Sequence, residues 1–195
     1  MHLFTYTCPI ILASASPRRR ELLHSVQLKC SVQPASIDES PRPGEQPEQY
    51  ALRMAREKAA SVAALNPQAC VISADTVVTI DSLILGKPET TDQALDMLQQ
   101  LRGKTHTVIT GVTIAAPQQE PVAFAEQTSV TFAHFDDPLL WQYIFSGDPM
   151  DKAGAYGIQS KGAFLVESVN GSFTNVVGLP LNRVLTMLFA LQVIQ

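Results

Sequence analysis

The stretch Pro9-Ile10-Ile11-Leu12-Ala13-Ser14-Ala15-Ser16-Pro17-Arg18-Arg19-Arg20-Glu21-Leu22-Leu23 constrains the fold more than any other part of this chain. An apolar run ends in small residues, and a proline then opens a segment of helical character. Ser16 suits the position that caps a helix, and Pro17 suits its first turn. The unit reads as strand, tight turn and helix, the repeating element of α/β folds, where ligands gather between strand ends and helix starts. A helix start already carries unpaired N–H groups and partial positive charge. Arg18, Arg19 and Arg20 add to that charge instead of balancing it. An anion, above all a phosphate, resolves the conflict; a solvated basic face is the plainer alternative.

The alternation continues. Strands are expected at Pro9–Ala13, Leu28–Gln33 and Cys70–Ile80, and helices at Pro17–Ser25, Pro47–Leu65 and Thr91–Leu101. Thr105–Ala115 and Val122–Ala133 read as β segments joined by Ala-Pro-Gln-Gln-Glu-Pro, the second a hairpin partner of the first. Asp136–Phe145 reads as a helix with Asp136 near its cap, Ala163–Val169 as a short strand, and Leu179–Val193 as a final apolar helix packed on the sheet. Ser36–Gln49 and Ser146–Gly162 look like loops. With 195 residues, no repeat and no clean linker, the expectation is one α/β domain over 1–195, with a mixed sheet in two lobes around a cleft.

Composition narrows the partners. A net charge of −4 lacks the basic footprint of a nucleic-acid polymer binder, so the three arginines are a local feature. No apolar run reaches the length of a membrane span, and Met1–Thr7 lacks the marks of a signal peptide. Cys8, Cys30 and Cys70 are dispersed and odd in number, which suits a reduced, cytoplasmic protein. The sequence leaves monomer and homodimer both open.

Several residues carry chemistry. On the Pro47–Leu65 helix, Ala51, Ala55, Val62 and Leu65 form an apolar stripe, and Lys58 falls within it, away from Arg53 and Glu57. A lysine there needs an anionic partner, or else snorkels at the stripe's edge. Asp75 stands alone in the apolar strand Val71–Val78, where an unpaired charge is costly. Such a residue holds a metal or cation, or serves as a base; capping a bend between two strands is the alternative. Thr76 offers a neighbouring hydroxyl. Gly86 lets the backbone of Leu85-Gly86-Lys87-Pro88 approach a ligand, with Lys87 toward a phosphate. The adjacent acids Asp38 and Glu39, with Asp75, offer the oxygen ligands magnesium or manganese prefers, although paired loop acids are commonly just solvated. In Asp151-Lys152-Ala153-Gly154-Ala155-Tyr156-Gly157-Ile158-Gln159 the glycines imply tight turns, and the Gln159 amide suits a base edge.

Other assignments fail. Gly103-Lys104-Thr105 is no P-loop, because Leu98 stands where its first glycine belongs. G-x-G-x-x-G, H-E-x-x-H and G-x-S-x-G are absent, and the four histidines are too scattered for structural zinc.

Taken together, Ser14-Ala15-Ser16-Pro17-Arg18-Arg19, Ile37-Asp38-Glu39, Arg56-Glu57-Lys58-Ala59, Ala74-Asp75-Thr76, Gly86-Lys87-Pro88, the Asp151–Gln159 segment and Val177-Gly178-Leu179-Pro180 resemble the Maf-like nucleoside triphosphate pyrophosphatases. The pieces run in the family order over nearly the whole chain. The resemblance implies an elongated α/β fold with a central cleft. It also implies a divalent cation, magnesium or manganese, and cleavage between the α and β phosphates of a nucleotide. Asp75 matches the position assigned as proton acceptor, and Arg18, Thr76 and Gln159 match positions linked to substrate choice. A sibling subgroup that prefers 7-methyl-GTP has tryptophan at the place of Arg18 and glutamine after the aspartate. This chain is similar instead to the dTTP/UTP-preferring subgroup, departing only in Ala15, where glycine or threonine is frequent, and in a slightly longer N-terminus.

The resulting expectation is a hydrolase for dTTP, UTP and modified pyrimidine nucleotides. Glu39 helps to hold the metal, Asp75 orients or deprotonates water, and Arg19, Lys58 and Lys87 neutralise phosphate charge. Ser14 and Ser16 grip the phosphate chain, and Arg20 faces solvent. Two alternatives stand beside it: a nucleotide-binding regulator of cell division with incidental hydrolysis, which would not need Asp75, and a purine-directed pyrophosphatase of related architecture.

Overall fold

Proline sets three helix starts in this chain, each after an extended residue. In the computed structural model, which describes residues 3–81 and 83–195, the order is β1 (Ile10–Leu12), α1 (Pro17–Ser25), β2 (Ser31–Val32), α2 (Pro47–Ala63), β3 (Cys70–Ile80), β4 (Leu83–Leu85), α3 (Thr91–Leu101), β5 (Thr105–Ala115), β6 (Val122–Phe132), α4 (Asp137–Phe145), β7 (Val166–Asn170), α5 (Phe173–Val177) and α6 (Leu181–Ala190). Met1 and His2, which begin the Met1–Thr7 segment, and Ser82 lie outside the described residues. Pro17 and Pro47 open α1 and α2, and Pro138 lies in the first turn of α4. α3 starts differently: the Thr90 hydroxyl accepts a hydrogen bond from the Gln93 N–H, and Asp92 complements the helix dipole.

The strands form one mixed sheet in the order β2-β1-β3-β5-β6-β7, with β4 paired to β3. β1 runs parallel to β2 and β3, whereas β3–β4 and β6–β7 are antiparallel. The α/β class and the mixed sheet agree with the expectation, and β5 and β6 are neighbours, as a hairpin requires. Several bounds differ. The strand expected over Leu28–Gln33 shrinks to Ser31–Val32. Ala163–Leu165 belong to a 3-10 turn over Lys161–Leu165, so β7 begins only at Val166. Leu65 leaves the α2 stripe, because the helix ends at Ala63 and Leu65 is 73% exposed. Among the described residues no helix is long and apolar enough to cross a membrane.

The chain divides into two compact units, and β3, β5 and β6 each contribute to both. Unit 1 comprises Met1–Asp75, Thr110–Glu126 and Gly178–Gln195. Its core includes Ile11, Ala59, Val62, Val71 and Ala115. The small face of α2, with Ala51, Ala55 and Ala59 buried, lets the helix come close to the sheet. At Gly111 of β5 any side chain would run into the Ala51 backbone carbonyl, and the buried Ser73 hydroxyl of β3 donates to the Ala55 carbonyl. Unit 2 comprises Thr76–Ile109 and Gln127–Val177. Its core gathers Leu98 and Leu101 of α3, Leu140 and Ile144 of α4, and Val78, Val130 and Phe132 of the sheet. Asn175 of α5, fully buried, donates to the Val108 carbonyl and the Thr128 hydroxyl.

Candidate active site

Unit 1 brings together the two charges that the sequence places in apolar surroundings. Lys58 is buried, 8% exposed, and its ammonium lies 2.7 Å from Asp75 Oδ1 and 3.1 Å from Glu39 Oε1. The close seating of α2 makes this contact, since Ser73 and Asp75, two residues apart on β3, both face the helix. β3 runs unbroken to Ile80, so Asp75 does not cap a bend between strands. The partner the sequence asks for is found on both sides: the cation for Asp75 is Lys58, and the anion for Lys58 is Asp75.

The two loop acids separate. Asp38 is exposed and accepts from the Ser40 N–H in a local turn, and hydrogen bonds to Ser40 hold its pKa below the usual carboxylate value. Asp38 thus follows the alternative of a solvated loop acid. Glu39 joins Asp75 through Lys58. Its loop is held on α2 by side chains that sequence reasoning passed over. The Tyr50 hydroxyl donates to the Glu39 carbonyl at 2.8 Å, and Arg53 donates to the Ser40 carbonyl and pairs with Glu45 at 2.6 Å. The Arg53 hydrogen bond keeps the Glu45 carboxyl down at about 2. Burial pushes the Tyr50 phenol up to about 12, with the negative charges of Asp75 and Glu39 adding to the effect.

At the start of α1 the arginines also separate. Arg20 is exposed, as expected, whereas Arg18 and Arg19 are half-buried. Arg19 donates from Nε to the Gly178 carbonyl at 2.8 Å and from its terminal nitrogen to Ser14 Oγ at 3.1 Å. Burial lowers its pKa; Asp75 and Glu39 pull it back up, while Arg18 adds to the lowering. Arg19 thus lies within electrostatic reach of the Lys58 cluster. Ser16 occupies the cap position with extended backbone, but its hydroxyl makes no capping bond. The cap is corrected in this sense: the Ser16 N–H instead donates to the buried Ser14 hydroxyl at 3.2 Å. The N–H groups of the first turn are therefore not closed by that side chain, which keeps them available to an anion.

Unit 2 holds the remaining candidates. Val78 meets Gly154 so closely that a Cβ there would lie 2.9 Å from its side chain, and the Gly154 N–H donates to the Gly86 carbonyl at 3.0 Å. One glycine thus joins β3, the Gly86–Pro88 turn and the Asp151–Gln159 segment, and Thr76 shares the face of β3 that Val78 presents. Lys87 and Gln159 are exposed, and no hydrogen bond or ion pair holds either side chain among the described residues. Lys152 is buried and paired with Asp148 and Asp151. Its i,i+4 spacing from Asp148 was the signal that could have found this pair.

Comparison with known proteins identifies the family of the chain. The family description Maf-like protein matches residues 9–191. A protein of Myxococcus xanthus named dTTP/UTP pyrophosphatase is 48% identical over 179 residues, covering 92% of this chain and 90% of that one. A protein of the same name from Oleidesulfovibrio alaskensis is 48% identical over 188 residues, covering 95% and 86%. Among solved structures, a HAM1 protein from Coxiella burnetii superposes with a TM-score of 0.53 at 16% identity, covering 94% of this chain and all of that one, a likeness of fold alone.

Proposed function

Because this chain belongs to the Maf-like protein family, we propose that it is a pyrophosphatase for dTTP and UTP, and for modified pyrimidine nucleotides of the same shape. Water attacks the α-phosphorus, the bond to the α–β bridging oxygen breaks, and a nucleoside monophosphate and pyrophosphate leave. The observation that carries the hydrolytic reading is the buried Lys58–Asp75 pair, within electrostatic reach of Arg19 on the first turn of α1. A buried ion pair is seldom better for stability than apolar residues of the same size. Its presence is better explained by work on a charged ligand.

Each side chain then has a task. Asp75 orients the attacking water and takes its proton. Lys58 and Arg19 offset the charge that spreads over the phosphate oxygens, which is where most of the catalysis in phosphoryl transfer lies. Ser14, Ser16 and the first N–H groups of α1 hold the phosphate chain, and Lys87 contributes a further cation. Arg18, Thr76 and Gln159 select the pyrimidine. Residues 1–195 act as one functional domain, since three strands run through both compact units.

The donor set also fits a divalent ion. Glu39 and Asp75 offer two carboxylates that already share one cation, Lys58. Among the described residues no group of three or more metal-ligating side chains forms a closed cage. Magnesium characteristically takes one or two carboxylates and completes its shell with water and substrate phosphates. Glu39 would hold the ion, which supplies charge neutralisation at the phosphates when bound, and Asp75 is left as the base.

The test is a panel of dTTP, UTP, CTP, 7-methyl-GTP and ITP with magnesium, scored for monophosphate and pyrophosphate. Turnover of dTTP and UTP to these two products is expected, and Asp75→Asn is expected to lower kcat by roughly 10²–10⁴-fold. Release of free phosphate with a diphosphate would overturn α–β cleavage. Tight binding without turnover would favour the regulator. Near-normal turnover by Asp75→Asn would remove its role as base.

A further inference from the structure

Away from the charged residues, unit 2 buries a histidine that the proposed chemistry does not use. His106 of β5 is 2% exposed and stands edge to face with Phe132 and Tyr156, at centroid distances of 4.9 and 5.4 Å. Its Nε2 lies 2.8 Å from the Tyr156 hydroxyl, while Nδ1 is buried with no partner among the described residues. Counting donors settles the roles. If the tyrosine donates to Nε2, only the Nδ1 N–H is left over; if Nε2 donates, both Nδ1 and the tyrosine proton are left over. His106 is therefore the acceptor. An apolar ring at 106 would pack in the same aromatic surroundings and strand no polar nitrogen. Packing alone does not account for the histidine.

The segment that Tyr156 anchors is strained. Gly154 and Ala155 are consecutive left-handed residues, with φ of +67° and +58°, and Ala155 is fully buried. A non-glycine residue persists in that region only where its surroundings over-determine it. Here the hold comes from the Gly154 N–H on the Gly86 carbonyl before the turn, and from Tyr156 on His106 after it. Gln159 follows three residues later and is exposed, so its placement depends on how the turn is fixed.

We propose that His106 is a positioning residue for substrate selection: by accepting the Tyr156 hydroxyl proton it fixes the 154–156 turn and thereby where Gln159 meets the pyrimidine base. This rests on the reading of Gln159 as a base contact. It adds a buried residue that lies 50 positions from the tyrosine it holds.

The experiment compares dTTP with dCTP in the full-length wild type, His106→Phe, His106→Gln, Tyr156→Phe and Gln159→Ala, at a temperature where each is folded by circular dichroism. His106→Phe is expected to raise KM for dTTP roughly tenfold and to shrink dTTP-over-dCTP discrimination by a similar factor, with kcat within about twofold. Tyr156→Phe, which removes only the hydroxyl, is expected to do the same, and it serves alone if His106→Phe does not fold. His106→Gln is expected to stay within about threefold of wild type, since its amide oxygen takes the place of Nε2. Unchanged KM and discrimination in the folded phenylalanine variants would overturn the inference, as would a glutamine variant as impaired as the phenylalanine one. If Gln159→Ala alone relaxes discrimination, this inference fails while the base-contact reading stands. If Gln159→Ala leaves discrimination intact, that reading fails and takes the inference with it.

Discussion

Two lysines, one in each unit, are buried to nearly the same degree, 8% for Lys58 and 7% for Lys152, and each lies between two carboxylates. Their surroundings differ. Lys152 reaches Asp148, Asp151 and the Asp148 backbone carbonyl, all within four residues. Asp148 is further held by the Tyr143 hydroxyl at 2.9 Å and the Ser160 hydroxyl at 2.7 Å. Three acceptors use all three ammonium donors, and the result is a knot that closes one loop. The partners of Lys58 come from β3 and from the acidic loop, with no backbone acceptor, so one donor is left among the described residues. The same charge arrangement is closed within one loop in one unit and, in the proposed function, serves a ligand in the other.

The largest test of that contrast pairs Lys58→Met with Lys152→Met. Each leaves buried carboxylate without its cation, so each should lose about 3–5 kcal/mol of stability in urea unfolding. Activity should separate them. Assayed where both are folded, Lys58→Met should lose roughly 10²–10³-fold in kcat/KM for dTTP, the scale of removing one transition-state charge donor. Lys152→Met should stay within about fivefold of wild type, because its ammonium is used up inside the loop. Equal losses of activity would erase the distinction.

The same contrast explains what was legible beforehand. Lys58 and Asp75 were readable because each is a single charge in an apolar pattern, and a charge there must find a partner. Glu39 as the second partner was not, since its return to Lys58 depends on Tyr50 and Arg53, residues that look like an ordinary polar helix face. The His106–Tyr156 pair was invisible for a like reason: a lone histidine in a strand has no local signal for a tyrosine far along the chain. In the fold, α1, α3, β3 and β5 lie where proline, capping threonine and β-branched runs place them. β4, α5 and the start of β7 were missed. Three to five residues carry too little periodicity to separate strand, helix and 3-10 turn.

A smaller effect belongs wholly to unit 2. Burial lowers the His106 pKa to about 4, against 6.5 in the open chain. The folded value is depressed, so the histidine's contribution to stability is fully present above 6.5 and is lost as pH falls toward 4, because only the unfolded chain takes up the proton. The slope is up to about 1.4 kcal/mol per pH unit in that window. Between pH 7 and pH 5 the wild type should therefore lose about 2 kcal/mol more than His106→Gln, measured by urea unfolding at each pH. A parallel decline in the two proteins would show that His106 is protonated in the native state as readily as in the unfolded one.

The smallest predicted effect on activity comes from removing one hydroxyl from each unit. Tyr50→Phe deletes the 2.8 Å bond that holds the Glu39 loop, and Ser160→Ala deletes the 2.7 Å bond onto Asp148. The stability cost is alike in kind, about 0.5–1.5 kcal/mol for Tyr50→Phe and about 1.5–3 kcal/mol for Ser160→Ala, whose acceptor is charged. The consequence for binding is not alike. Glu39 faces Lys58 across 3.1 Å and is itself half-exposed, so a looser loop displaces the carboxylate proposed to hold the metal ion. KM for dTTP should rise roughly two- to fivefold in Tyr50→Phe, following the loss of about 0.5–1 kcal/mol of positioning. In Ser160→Ala the Lys152 pairs still close the loop, and KM should stay at the wild-type value although the protein is the less stable of the two. Should KM follow stability across the two variants, the acidic loop would be holding the fold as the Asp148 knot does, and Lys58 would lose its claim to a different role.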